Sequence, residues 1–300
     1  MKFAAAHLFA AWLALAGGAA FAQAEAPVEF AGTLLKARDS GAVTLAYRES
    51  SIPFSYASAK GVPIGYSIEL CRKLVEAIGE TVGRDIEIKW LPVTAESRID
   101  AVVSGKADLE CGSTTINLER QKRVAFSPTV FVSGTKLMVK AGSPIQSFRD
   151  LPGKTVVVTA GTTNEQTMRD LAATLRLDFR LLVARDHAES FAQLAAGKAD
   201  AFATDDVLLY GLIAQNKAQG AYRVVGEFLS YDPYGIMYRK DDAQLARLVD
   251  DTFRDLAGDG EIERQYKRWF LSRLPSGISI DLPMSPQLET LVRAMVVRSE

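Results

Sequence analysis

The chain reads as an α/β protein with mostly parallel sheets, and three observations carry that reading. Short β-rich runs alternate with helical patterns along most of its length, as strand–crossover–strand units require. Several of the runs are apolar throughout, as in sheets covered on both faces. A Gly-Lys-Ala-Asp unit followed by a short apolar run and a polar cluster occurs twice, at 105–108 and 197–200, about 90 residues apart.

Taken in order, residues 43–47, 86–90, 154–159, 180–183 and 201–203 form the strand signals. Between them, 67–78, 97–104, 163–175, 190–196 and 206–216 carry apolar residues at three-to-four spacing behind polar starts, which predicts amphipathic helices. In each copy of the repeated unit a helix ends at a capping glycine, a strand follows, and the strand delivers polar side chains. The first copy delivers Cys111-Gly-Ser-Thr-Thr115 and the second Thr204-Asp-Asp206. Two similar lobes that present these loops to one cleft follow, with crossings between them at 134–142 and 232–240. Helical patterns at 243–257, 261–271 and 286–297 complete the first lobe.

Composition narrows the function. The 300 residues are 48% hydrophobic and 24% charged, which is ordinary globular usage. With 35 basic against 36 acidic residues the net charge is -1, so no global field attracts nucleic acid or an anionic membrane. Two cysteines and two histidines leave little for a metal cluster, and neither metal nor cofactor is expected. No G-x-S-x-G, H-E-x-x-H, Walker A or G-x-G-x-x-G occurs.

The N-terminus carries Lys2, an apolar run over 4–21, and Ala20 and Ala22 around Phe21. This predicts a secretory signal peptide over 1–22, cleaved after about Ala22; the other reading is an N-terminal membrane anchor. Cleavage removes Lys2 and lowers the basic count from 35 to 34 against 36 acidic, and it leaves His187 as the only histidine. In an oxidising compartment Cys71 and Cys111 either form a disulfide closing a loop of about 40 residues or stay as separately buried thiols. A catalytic pairing of cysteine with His187 is the third option.

The candidate chemistry lies at strand ends. Arg48 follows the first strand, Arg98 opens a helix, and Arg120 follows the loop that holds Ser113 and Thr115. A guanidinium is a planar fork matched to a carboxylate, so three of them converging would select an anion; taken singly, each is equally an ordinary surface residue. Thr163 opens a helix behind Gly161, a natural anion site or a plain N-cap. Asp205 either pairs with an ammonium or caps the helix that follows. His187 either donates to an anion or is packed.

Several of these runs occur together in one known family. RESSIPFS at 48–55, GYS at 65–67, ECGSTT at 110–115, ERQ at 119–121, VVVTAGTT at 156–163, KDD at 240–242 and WF at 269–270 resemble the periplasmic glutamate/aspartate-binding proteins of bacterial ABC transporters, solute-binding protein family 3. The likeness runs from about Thr33 to beyond Trp269. It implies a two-lobed type II periplasmic-binding-protein fold, with lobe I at 23–135 and 236–300, lobe II at 136–235, and two hinge crossings. It implies a non-catalytic, monomeric periplasmic receptor that closes on L-glutamate or L-aspartate and delivers it to permease subunits in the inner membrane. Carried over by position, Arg120 would hold the α-carboxylate with Ser113, Thr115 and Thr163. Asp205 would take the α-ammonium, and Arg48, Arg98 and His187 the side-chain carboxylate. The chain departs from the family pattern at Ala95, where serine is frequent, so one contact is either missing or supplied by Thr94. The alternative on the same fold is a periplasmic dehydratase of the cyclohexadienyl/arogenate kind, with His187 or Asp206 as general acid.

Overall fold

The computed structural model describes residues 29–297; the export segment expected at 1–22 lies outside the described residues. The first stretch runs through α1 (Gly32–Ser40), β1 (Ala42–Tyr47), three short antiparallel strands β2 (Ser50–Ser51), β3 (Ser55–Ala57) and β4 (Pro63–Ile64), and then α2 (Tyr66–Val82). It continues with β5 (Glu87–Pro92), α3 (Arg98–Val103), β6 (Leu109–Glu110), α4 (Leu118–Gln121), β7 (Val124–Phe126) and β8 (Phe131–Ser133). Next come β9 (Thr135–Lys140), β10 (Thr155–Thr159), α5 (Thr163–Leu175), β11 (Arg180–Ala184), α6 (His187–Ala195), β12 (Ala201–Asp205), α7 (Asp206–Gln215) and β13 (Tyr222–Val225). The chain returns through β14 (Asp232–Tyr234) and β15 (Met237–Arg239) and ends in α8 (Ala243–Gly258), α9 (Glu261–Tyr266) and α10 (Pro286–Val296).

Two five-stranded sheets result, in the orders β5-β1-β6-β15-β7 and β11-β10-β12-β9-β13. In each, three parallel strands are followed by one antiparallel strand, β15 or β9, and then by an edge strand, β7 or β13, that pairs antiparallel with it and so runs with the first three. The fourth place is taken by the strand that has just arrived from the other sheet, β15 in the first and β9 in the second. Residues 134–142, expected as a crossing, instead hold β9 inside the second sheet. The crossing is made by β8 and β14, which pair antiparallel between the sheets. Phe131 of β8 and Tyr234 of β14 pack on Phe54, and Phe131 also stacks on Phe270 at 4.9 Å, so the link is anchored in the aromatic core of the first sheet's body.

The repeated unit has one structural job. Gly105 and Gly197 take positive φ and end their helices, α3 and α6. Each aspartate that follows is tied to the first half of the neighbouring parallel strand, β1 or β10. The Thr44 N–H donates to Asp108 at 2.8 Å, and the Thr155 N–H to Asp200 at 2.8 Å. The returning main-chain bonds are Asp108 N–H to Thr44 and Asp200 N–H to Thr155, both 2.8 Å. Register is thereby set just before β6 and β12 deliver their polar ends.

Cys71 of α2 and Cys111 after β6 are joined as a disulfide across a sequence separation of 40. The bond pins the polar loop that follows β6 to the helix beneath it. Replacing both cysteines by serine is expected to lower the free energy of unfolding by about 2–4 kcal/mol, the chain-entropy value for such a loop. Urea unfolding of the oxidised and doubly substituted proteins checks this; coincident curves would refute it.

Candidate functional site

All the parallel strands point their carboxyl ends into the space between the two sheets, where ligands of open α/β folds bind. Arg48 follows β1, Ser113 and Thr115 follow β6, Thr162 and Thr163 follow β10, His187 follows β11 and Asp205 ends β12. These residues, with Arg98, Asn164 and Leu208, line one small, nearly filled cavity of about 10 Å³. Seven of the eight residues expected from the sequence are thus brought together; Arg120 is not among the lining residues and instead binds the main chain of one of them, Thr115.

Three guanidinium groups are buried here. Arg48 is 1% exposed, and neither Nη1 nor Nη2 has a partner. Its main chain is held by the Ser55 hydroxyl, to which its N–H donates at 2.9 Å. Burial, with Arg98 adding to it, pulls the Arg48 pKa down to about 9, so the group stays charged at neutral pH. Arg98, 2% exposed at the start of α3, donates from Nη1 to the Thr114 hydroxyl at 2.7 Å and to the Ser113 carbonyl at 3.3 Å. Arg120 donates from Nη1 to the Thr115 carbonyl at 2.7 Å, and burial and Arg98 bring it to about 9. Its position is set by Asn117, whose side chain caps α4 by accepting from the Arg120 N–H.

Carboxylates face them. Asp205 sits at the N-cap position of α7 but makes no capping bond. It accepts from Asn164 Nδ2 at 2.9 Å and from the Tyr234 hydroxyl instead. Of its two sequence readings, the capping one is therefore excluded. The cap-like contact falls to Asp206, which accepts from the Val207 N–H and the Ser133 hydroxyl and lies outside the cavity. Asp232, buried on β14, accepts from Thr163 at 2.9 Å and from Ser230. His187 Nδ1 lies 2.9 Å from the Thr159 hydroxyl, and burial, Arg48 and Arg98 hold its pKa well below the usual imidazole range.

Thr162 is the N-cap of α5, accepting from the Glu165 N–H at 3.1 Å, which leaves Thr163 free to face the cleft. Its hydroxyl meets that of Thr115 at 3.2 Å across the gap between the two bodies. Two close backbone approaches accompany this contact. A Cβ on Gly161 would lie 2.8 Å from the Glu96 Cα, and one on Gly211 only 2.1 Å from the Ile52 carbonyl oxygen. Thr94 does not replace a missing contact from Ala95: its hydroxyl is engaged with Ser97 at the start of α3, and neither residue lines the cavity.

Sequence reasoning missed Asn164, Leu208, Glu110, Thr114, Asp232 and Tyr234. Asn164 looks like any polar first-turn residue, yet its amide ties Asp205 to Thr135 at 2.9 and 2.7 Å. Among the described residues no group of His, Cys, Asp and Glu is placed to hold a metal ion, and no helix is long and apolar enough to cross a membrane.

Residues 43–272 match the family of bacterial extracellular solute-binding proteins, family 3. An L-glutamate/L-aspartate-binding protein of Pseudomonas aeruginosa is 42% identical over 267 residues, 88% of either chain. A glutamate/aspartate import solute-binding protein of Escherichia coli K12 is 40% identical over 284 residues, 94% of either chain. Among solved structures, an ancestral arginine-binding protein bound to glutamine superposes with TM-score 0.70 at 29% identity, covering 77% of this chain and 99% of its own. The ancestral amino acid-binding protein AncCDT-1, a precursor of cyclohexadienyl dehydratase, does so with TM-score 0.69 at 28% identity, covering 79% and 99%.

Burial, reinforced by Asp232, pushes the Asp205 carboxyl up to about 7 from the ordinary 3.8. Between those values the folded state holds a proton that the unfolded chain has lost, so this residue's contribution to stability falls as pH rises through that window. Asp205→Asn is therefore expected to raise Tm more at about pH 8 than at about pH 5. Thermal melts at both pH values check it; equal shifts would refute it.

Proposed function

The chain belongs to the bacterial extracellular solute-binding proteins, family 3, and on that premise we propose that it captures an acidic amino acid, L-glutamate or L-aspartate, for an ABC importer. One observation carries the reading. A buried guanidinium with both terminal nitrogens unpartnered, Arg48, faces the same cavity as a second arginine, Arg98, and a carboxylate, Asp205. A dicarboxylic amino acid brings two negative groups and one positive, so it complements that arrangement group for group. The similarity to glutamate/aspartate-binding relatives supports the same ligand.

In this reading Arg48, Arg98 and His187 surround the side-chain carboxylate, and His187 acts as a neutral donor. Asp205 takes the ammonium. The α-carboxylate lies against Ser113, Thr115 and Thr163, and Arg120 reaches it beside the Thr115 carbonyl that it already binds. The bodies built on the two sheets act as lobes, 23–135 with 236–300 and 136–235, hinged on β8 and β14. They close through the Gly161 and Gly211 approaches, and ligand favours closure because it touches both. The receptor works as a monomer in the periplasm after loss of the signal peptide at about Ala22, and permease subunits in the inner membrane recognise its closed form. For the dehydratase alternative, the groups offered as general acid are poorly suited: Asp206 faces Ser133 outside the cavity, and His187 is held unprotonated.

Titration calorimetry is expected to show one L-glutamate or L-aspartate per chain, and Arg48→Ala to weaken binding by about 2–5 kcal/mol, the penalty for a buried charge losing its partner. Absence of heat with both amino acids would overturn the proposal. Gly211→Val is expected to keep the fold while lowering affinity and leaving the protein more extended with ligand in small-angle scattering. Wild-type affinity in that variant would remove the closure contact from the argument.

A further inference from the structure

We propose that Glu110 is a specificity-determining residue of this cleft, an internal carboxylate that positions Arg98 through Thr114 and biases the arginine cluster toward ligands with one net negative charge over ligands with two. The inference rests on the acidic amino-acid reading above.

Glu110 ends β6 and has no exposed surface. Its Oε2 accepts from the Thr114 hydroxyl at 2.6 Å. A threonine hydroxyl has one proton, and here it is committed to Glu110. Thr114 Oγ1 can therefore only accept from Arg98 Nη1, which it does at 2.7 Å. The relay has one direction, from Arg98 to Thr114 to Glu110, and it fixes the plane of the guanidinium whose Nε is left without a partner. The second oxygen, Oε1, is also unpartnered. It lies beneath Gly112, where an added Cβ would stand 2.2 Å from Oε1 and 3.1 Å from Cγ of Arg48. The carboxylate therefore runs beside the stem of Arg48, whose guanidinium continues past it to the cavity. Among the described residues Glu110 makes no ion pair within 4.0 Å, but its field favours the charged form of Arg48, Arg98 and Arg120 alike.

The cleft thus sets three guanidinium groups against Glu110, Asp205 and Asp232 before any ligand charge is added. An acidic amino acid adds one net negative charge and a plain dicarboxylate adds two. Asp205 discriminates by contacting the ammonium. Glu110 lies on the arginine side and acts on the total charge, so its charge penalises a dianion more than a monoanion. Glu110→Gln keeps an oxygen to accept from Thr114 and removes the charge. Thr114→Val breaks the relay and keeps the charge.

The test compares L-glutamate with glutarate, the same carbon chain without the amino group, by calorimetry on the full mature protein. In Glu110→Gln the affinity for glutarate relative to L-glutamate is expected to rise roughly tenfold, the effect of one unit charge across a partly polar interior. In Thr114→Val both affinities should fall together with an unchanged ratio, and Thr114→Ser should restore them. An unchanged ratio in Glu110→Gln overturns the proposal, as does wild-type binding by Thr114→Val. If Glu110→Gln does not fold, wild-type binding by Thr114→Val still overturns the proposal. Failure of the wild-type protein to bind L-glutamate and L-aspartate would instead remove the reading of the cleft itself.

Discussion

Three guanidinium groups withdrawn from water in one place set the terms for the rest of the cleft. Arginine cannot shed its proton at neutral pH, so the cost of burying Arg48, Arg98 and Arg120, several kcal/mol for each ion, has to be offset by neighbours. The neighbours are specific. Main-chain carbonyls of Ser113 and Thr115 accept from Arg98 and Arg120. Glu110, Asp205 and Asp232 supply opposing charge at a distance, without forming close ion pairs to the guanidinium groups. Arg48 has neither kind of direct partner. The loop that provides the carbonyls must be rigid for this to work, and the bond between Cys71 and Cys111 fastens its base.

Proton counting shows how the crossing strands enter the site. Thr163 gives its proton to Asp232, so its contact with Thr115 requires Thr115 to donate. Ser230 accepts from the Thr135 N–H and gives its proton to Asp232. Thr135 then donates to Ser230 and accepts from Asn164, whose other amide proton goes to Asp205 and whose oxygen accepts from Thr204. Tyr234 completes Asp205. Every proton has a destination, and the two carboxylates at the ends of the network are linked through β14. That strand also receives Ile116 N–H at Pro233 and gives Gly235 N–H to Thr114. A displacement of the crossing would therefore be felt by the loop after β6 and by Asp205 together.

The repeated Gly-Lys-Ala-Asp unit made the duplicated architecture legible, because a helix stop, a register-setting aspartate and a polar strand end recur in fixed order. The parallel strands were legible because they are apolar and bracketed by helices; helix α5 begins and ends where its pattern does. The antiparallel strands β7, β8, β9 and β13 to β15 were not. Their partners lie far along the chain, and local pattern cannot announce a strand that returns from another sheet. Most of the cavity was found because arginines and hydroxyls at strand ends are conspicuous. Asn164, Glu110 and Tyr234 escaped because their importance lies in what they hold. Asp232 opened a segment expected only to cross, and its buried charge became visible only when Thr163 and Ser230 were seen to converge on it.

The distribution of charge between the two bodies accounts for a site that lies between lobes instead of inside one. Arg48, Arg98 and Arg120 all belong to the first sheet's body, with the buried carboxylate of Glu110 beside them, so that face carries an excess of positive charge. Asp205 and Asp232 belong to the second sheet and its crossing strand, and His187, which shares the cavity with Asp205, is held neutral. The opposite face is therefore negative. Two faces of opposite sign attract across the gap, but neither can be fully paired by the other, since Arg48 finds no carboxylate within reach. A molecule with both signs, short enough to fit between backbones as close as Gly211 and Ile52, can satisfy each face at once. The same molecule on either face alone would leave one of its charges unpaired. On the proposed reading, selectivity and closure follow from one cause, the separation of charge between two bodies that each have a sheet of the same order.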